Sequence, residues 1–540
     1  MNTAHPRPEQ DRSSRRPAPP LGREPMLVPS ADVLVRYNAR VLDPATAVRR
    51  RPDEVIRPTV YVGDRLLVRG LVPGSVRYGV LAQAAKDHNL GLSYADADAT
   101  AETARGGTRG EAYPARMVLT PLTSPAAPAD AWPVLQSYRA LVGDEQVPQD
   151  VALEHLLTAT AGPGIGGVPY TEGHGVGGVP YTEGHGVPAS QYGLPGWGGR
   201  APVNWIGPEP SRDPAFAARR PVVAVLDTGV GAHPWLDDAA IVVRNPTLDG
   251  TPGGPPLGLT DPLSDPERTG VLVDPYEGIL DSDAGHGTFI AGIIRQLCPD
   301  ATVLAVRIMS GDGVVAEGDL LDALAGLLAR QHLAVSSGRP ELALDVVSLS
   351  LGYYHEQPDD AAFDPMLLAP LQALGALGVA VVASAGNDAT ARPMFPAAFT
   401  PYPGGAIAKP DSDVVPLVSV GALNPNRRTI ALFSNGGPWV RCYRPGASIV
   451  STLPVTFNAA IQPGAAVDVL NEGPRATIDG DDFSGGFGTW SGTSFAAPHL
   501  AGQLAAALAA GHCGPLDPVD APTAVPRGWA ALEQLIGMSP

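Results

Sequence analysis

From Pro221 onward, near-continuous apolar runs recur at residues 222–226, 302–308, 344–349, 379–384 and 414–420. Apolar residues at successive positions, rather than at every second one, suit parallel strands covered on both faces. Between the runs lie helix-length segments at 286–297, 319–333 and 364–377. In the second of these Leu320, Leu321, Leu324, Leu327 and Leu328 share one helical face. The alternation predicts an α/β fold: a doubly wound, mostly parallel sheet flanked by helices, with its site at the carboxyl ends of the strands.

Chemistry-bearing residues stand at or near such ends. Asp227 closes the first run and precedes Thr228-Gly229. His286 lies in Asp283-Ala284-Gly285-His286-Gly287-Thr288, just before an apolar helical segment. Asn387 follows Val381-Val382-Ala383-Ser384-Ala385-Gly386. Ser494 lies in Trp490-Ser491-Gly492-Thr493-Ser494-Phe495-Ala496-Ala497-Pro498-His499, where a loop delivers a serine to the start of an Ala/Leu-rich helix ending near Gly511. The positive end of a helix dipole favours developing negative charge there. Pro498 is expected close enough to that start for its missing N–H to cost little. Taken singly, Asp227 reads as a turn cap, His286 as a helix N-terminal residue, Asn387 as a turn former and Ser494 as a helix cap. Their joint order, Asp, His, Asn, Ser, outweighs those separate readings.

In that order the segments resemble the subtilisin-like serine proteases (peptidase S8, the subtilase family) over residues 220–510. The resemblance implies an Asp227–His286–Ser494 triad. Ser494 would be the nucleophile, His286 its general base, and Asp227 the group that orients the imidazole. Asn387 and the Ser494 backbone N–H would form the oxyanion hole. Ser348-Leu349-Ser350-Leu351-Gly352 resembles one wall of the substrate groove and Gly311-Asp312-Gly313-Val314 the opposite edge. Gly311, Asp312, Gly313, Ser350, Leu351 and Gly352 are therefore the expected substrate-binding residues, clasping an extended peptide by strand addition. Residues 387–397 resemble a proteinase K-type pocket rim, which favours an apolar or aromatic P1 residue; Asp312 or Asp388 would instead favour a basic one. Three departures bear on specificity: Phe289 where relatives often carry histidine, Phe495 where methionine is commoner, and Tyr353-Tyr354-His355 after the pocket wall.

The rest of the chain divides by composition. Residues 1–28 read as disordered, 29–158 as a small α+β domain and 159–219 as a Gly-rich linker. Residues 220–512 carry the family motifs, and 513–540 form a C-terminal extension. Within 29–158, Gly63-Asp64 between two apolar runs predicts a hairpin, and Arg116–Thr120 a strand. Residues 78–88, 130–142 and 151–158 are expected as helices, with a polar loop at 95–110. The 29–158 region fits either a pro-domain that inhibits the enzyme it precedes or an adaptor. The linker repeats the eleven residues of 166–176 at 177–187 and reads as a tether in which self-cleavage is expected, between 160 and 220. His174, His185, Glu172 and Glu183 there read as solvated rather than metal-binding. The segments at 237–281 and 454–488 are expected as surface insertions near the groove.

A formal net charge of −18 argues against nucleic acid and anionic membranes as partners. Protein or peptide substrates remain the expected partners. Cys298, Cys442 and Cys513 cannot form a disulfide framework and read as free thiols. No signal-peptide h-region follows Arg15-Arg16 and no long uncharged apolar stretch occurs, so a cytoplasmic location is expected. No cofactor or metal is expected. Asp261, Asp265, Asp274, Asp281 and Asp283 offer calcium-type ligands but read as acidic loops. A serine endopeptidase is the leading expectation, with an acyl transferase (macrocyclase) and an inactive adaptor as alternatives.

Overall fold

The computed structural model describes residues 25, 30–71, 73–95, 114–123, 128–143, 150–159, 199–357 and 365–540. Most of the 1–28 segment, most of the 95–110 loop and the whole tandem repeat lie outside these residues.

The N-terminal region runs α1 (Ala31–Arg36), β1 (Ala39–Leu42), β2 (Thr59–Val68), α2 (Val76–Asp87), β3 (Leu90–Tyr94), β4 (Ala115–Pro121), α3 (Ala131–Val142) and β5 (Val151–Ala159). Ser75 and Asp130 cap α2 and α3 with side-chain oxygens. Both helices and β4 fall where the pattern put them. Two expectations are corrected. Residues 59–68 form one strand rather than a hairpin: Gly63 stays extended and donates its N–H to Asn38 O at 2.8 Å. The register of β2 against β5 shifts between Tyr61 and Leu66, so the Gly-Asp pair sits beside an irregularity, not a turn. Residues 151–158 form β5 instead of a helix. Every residue from Val151 to Leu157 is buried, Glu154 and His155 included. Pairing on both edges overrides local preference there.

The remainder holds β6 (Ala201–Pro202), β7 (Val222–Asp227), β8 (Val242–Arg244), the short α4 (Pro266–Thr269), α5 (His286–Leu297), β9 (Thr302–Arg307), β10 (Val314–Ala316) and α6 (Glu317–Ser337). It continues through β11 (Val346–Leu349), β12 (Leu351–Gly352), α7 (Pro365–Ala376), β13 (Ala380–Ser384), β14 (Val418–Leu423), β15 (Cys442–Pro445) and β16 (Ile449–Thr452). It ends with β17 (Ala466–Val469), β18 (Gly473–Ala476), β19 (Phe487–Trp490), α8 (Thr493–Ala509) and α9 (Ala521–Ile536).

The central sheet has the order β15-β14-β13-β11-β7-β9-β8, and every pairing is parallel. Residues of β7 alternate between two cores: Val223 and Val225 pack with α5, α8 and α9, while Ala224 and Leu226 pack with α6 and α7. This is the expected doubly wound arrangement. Strand order reverses between β7 and β11, and that switch point is where such folds build their sites. β14 starts later than expected because Pro416 cannot donate to a ladder. β8 was hidden inside a Gly/Pro-rich segment and β15 inside a polar one.

A second, antiparallel sheet joins the two regions, in the order β10-β5-β2-β4-β3 with β12 also on β5. β5 pairs with β2 and, further on, with β10 and β12. Two more expectations change. Part of the presumed linker is anchored: β6 pairs with β19, Arg200 is buried, and Arg219 pairs with Asp345 at 2.7 Å. The 237–281 insertion is not purely superficial, since β8 joins the central sheet and Glu267 is buried. The 454–488 insertion carries the exposed β17–β18 hairpin. The three cysteines are free thiols, and among the described residues no helix is long and apolar enough to cross a membrane.

Candidate active site

Asp227 ends β7 and His286 opens α5, on neighbouring parts of the same switch point. Gly285 caps α5 at φ +86°, a left-handed value that glycine adopts without strain. A Cβ on Gly287 would lie 2.1 Å from Gly229 O, so the first turn of α5 rests directly on the backbone after Asp227. That approach brings His286 Nδ1 to 2.7 Å from Asp227 Oδ1. Asp227 Oδ1 also accepts from the Thr228 N–H at 2.8 Å. His286 Nε2 makes no hydrogen bond among the described residues. Burial works against the imidazolium, but the charge and hydrogen bond of Asp227 outweigh it and raise the His286 pKa.

A further carboxylate holds this pair in place. Glu267 of α4 accepts from Thr228 Oγ1, Thr288 Oγ1 and the Gly285 N–H at 2.5, 2.5 and 3.0 Å. It therefore ties the turn after β7 to the start of α5. Burial raises its pKa to about 7, with the two threonine hydroxyls opposing. Arg200 likewise donates to Asp281 O at 2.7 Å and to Ala284 O, and stands 4.9 Å over the Trp490 ring. Glu267 and Arg200 escaped sequence reading. Each lay in a segment taken as a solvated loop or tether, with no periodicity to reveal burial.

Ser494 is the second residue of α8 and is fully buried. Its Oγ donates to Ser350 O at 3.3 Å, and its own carbonyl accepts from Ser350 Oγ at 2.9 Å. The second bond explains how Pro498 is tolerated. Pro498 lies inside α8 rather than at its start, so the i−4 carbonyl it deprives is that of Ser494. Ser350 supplies the missing donor. Asn387 follows β13 and accepts on Oδ1 from Thr493 N and Oγ1 at 2.9 and 3.0 Å. Those bonds fix the amide's oxygen end on α8.

The two unfamiliar aromatics explain each other. Phe289 and Phe495 pack at 4.5 Å, and Phe495 and Trp490 flank the His286 ring at 5.5 and 5.7 Å. Tyr354 donates to Asp388 at 2.6 Å, and Arg36 pairs with Asp312 at 2.7 Å, so both rim carboxylates are engaged. In the acidic loop Asp274 and Asp281 accept from nearby backbone N–H groups, and Asp261 and Asp265 are helix caps. Asp281 and Asp283 are buried rather than solvated, with Asp283 accepting from the Ser282 hydroxyl at 2.7 Å.

The expected groove edges face each other across β5. Leu351 pairs with Ala159 and Gly352 with Thr158, while Val314 pairs with Thr158 on the other side. The Ala159 N–H donates to Gly313 O at 2.7 Å. Gly311 O accepts from the Asp283 N–H at 2.8 Å, which ties this edge to the histidine loop. Asp312 turns to α1 instead. The structure thus gathers Asp227, His286, Asn387 and Ser494 at one end of one sheet, and places an extended segment of the chain itself between the two edges.

A family profile described as "Subtilase family" matches residues 218–516. Among curated proteins, the chain is 27% identical over 314 residues to "Serine protease AprX" of Bacillus subtilis (strain 168), covering 53% of this chain and 56% of that one. It is 28% identical over 289 residues to "Major intracellular serine protease" of the same organism, covering 52% and 66%. It is 30% identical over 235 residues to "Subtilisin-like protease 3" of Pseudogymnoascus destructans, covering 42% and 44%. The chain thus spans about half to two-thirds of the length of these relatives. A crystal structure titled as a cold adapted subtilisin-like serine proteinase is 20% identical, with a TM-score of 0.32, covering 58% of this chain and 85% of that one.

Proposed function

Because this chain belongs to the subtilase family, we propose that it is a serine endopeptidase whose triad is Asp227, His286 and Ser494. The observation that carries this reading is the buried Asp227–His286 hydrogen bond of 2.7 Å, set with Ser494 and Asn387 at the carboxyl ends of one parallel sheet. A substrate would lie extended between β10 and β12. The Ser494 side chain would turn from Ser350 O towards His286 Nε2, a hydrogen bond that many such sites complete only with substrate in place. His286 would take the Ser494 proton as Oγ attacks the carbonyl, and Asp227 would stabilise the imidazolium. The Asn387 NH2 and the Ser494 N–H would receive the oxyanion. His286 would then protonate the leaving amine, and water would resolve the acyl-enzyme.

We read residues 29–158 as a domain that inhibits the site in cis, because residues 156–159 occupy the groove as a substrate would. With Asp312 and Asp388 already engaged, the rim favours an apolar or aromatic P1 residue over a basic one. The related activities of acyl transfer and passive binding are separated from hydrolysis by one experiment. Incubation of the chain with a peptide library, followed by mass analysis, is expected to give fragments carrying one added water, and Ser494→Ala to lose about 10⁶-fold in rate. Cyclised products would point to transfer. Equal fragments from Ser494→Ala would remove the triad from the explanation.

A further inference from the structure

Beyond the catalytic groups, one buried cluster spans the N-terminal region and the protease-like region. His155 lies on β5, three residues before Thr158, which pairs with both groove edges. Its Nδ1 is 2.8 Å from Glu317 Oε2 at the start of α6. Its Nε2 is 3.0 Å from Glu356 Oε2, in the loop after β12. Both carboxylates and the ring are about 1% exposed. A neutral imidazole has a single N–H and can satisfy only one carboxylate. Two ionised carboxylates, one at each ring nitrogen, call for both N–H groups of an imidazolium. The surroundings balance that charge. Arg139 of α3 is 3.7 Å from Glu356 Oε1, which sets two cations against two anions. Tyr353 stacks on the ring at 4.4 Å, and Tyr61 of β2 is its cross-strand partner. His355, at 5.3 Å, is held neutral: burial pushes its pKa down to about 3. His155, His355 and Glu356 bring ligand-type atoms within 4.8 Å. Each is already paired, however, since His155 faces the two carboxylates and His355 Nδ1 accepts from the Gln357 N–H at 3.2 Å. With both ring nitrogens protonated, the ring satisfies both carboxylates without a metal ion.

We propose that Glu317 and Glu356 form a cation-binding clamp for the imidazolium of His155, and that this clamp locks β5 in the groove and releases it as pH rises. The proposal rests on the inhibitory reading of residues 29–158 and assigns the regulation of that same groove. Its sign follows from linkage. Burial lowers the His155 pKa, but the hydrogen bonds and charges of Glu317 and Glu356 outweigh this and raise it from 6.5 to about 10. The docked strand therefore holds a proton that the undocked strand has lost. Docking is at full strength below the undocked value and weakens by about tenfold per pH unit above it, until the docked value is passed.

The test uses the full chain with Ser494→Ala, so that no self-cleavage intervenes, and hydrogen–deuterium exchange of Val151–Ala159 from pH 6 to pH 10. After correction for intrinsic exchange, protection of β5 is expected to fall at least tenfold between pH 7 and pH 9 while β11 is unchanged. Added His155→Gln, or Glu356→Gln should the first variant misfold, is expected to give low protection with no such pH step. An identical pH step with and without His155→Gln would overturn the proposal. So would loss of protection on adding EDTA at constant pH, which would show a metal in place of the proton. Because this readout needs no catalysis, its failure is separate from failure of the peptidase reading, which the peptide library decides.

Discussion

The Asn387 amide oxygen holds Thr493 at the start of α8, and the proposed mechanism gives its NH2 to the oxyanion. Asn387→Ala is therefore expected to lower kcat by about 10²–10³-fold with little change in KM, measured by steady-state hydrolysis of a good peptide. An unchanged kcat would take Asn387 out of the oxyanion hole. Ser350 works on the same principle from the other side, supplying the donor that Pro498 denies to Ser494 O. At this scale the sequence was legible where a candidate residue sat next to a glycine or at a strand end, as Asp227, His286 and Asn387 do, or at the start of an Ala/Leu-rich helix, as Ser494 does. Glu267, Arg200 and His155 were not legible. A polar residue inside a loop, or inside a run misread as helical, gives no local sign that folding will bury it among partners 18 to 201 positions away.

Among the elements, β5 pairs with strands of both regions. Its apolar residues Val151, Leu153, Leu156 and Leu157 do not alternate cleanly, so the strand is not marked in the sequence. Both of its faces are covered and both of its edges are paired, so the two-residue period that marks a half-exposed strand is absent. The parallel strands were readable for the opposite reason: apolar on both faces and bounded by glycines, they admit few other assignments. Ala159→Pro removes the N–H that bonds Gly313 O. It is expected to loosen the end of β5 and to raise peptide hydrolysis by the full chain several-fold at neutral pH. No change in rate, with the fold intact by circular dichroism, would show that this end of β5 does not limit access.

For the whole molecule, the parallel sheet brings Asp227, His286, Asn387 and Ser494 to one end, and the antiparallel sheet runs β5 between the two expected groove edges, pairing it with strands of both regions. The first arrangement could be read from the chain, because crossover helices and strand ends recur in order. The second depends on pairing between segments more than 150 positions apart, Thr158 with Val314 and with Gly352, which no local pattern announces. Both sheets matter only if Asp227, His286 and Ser494 act as one unit, and labelling of the purified chain with a fluorophosphonate, followed by peptide mapping at alkaline pH, tests that most directly. The label is expected on Ser494 alone and to vanish in His286→Ala; label on another residue, or undiminished label on Ser494 without His286, would contradict the account.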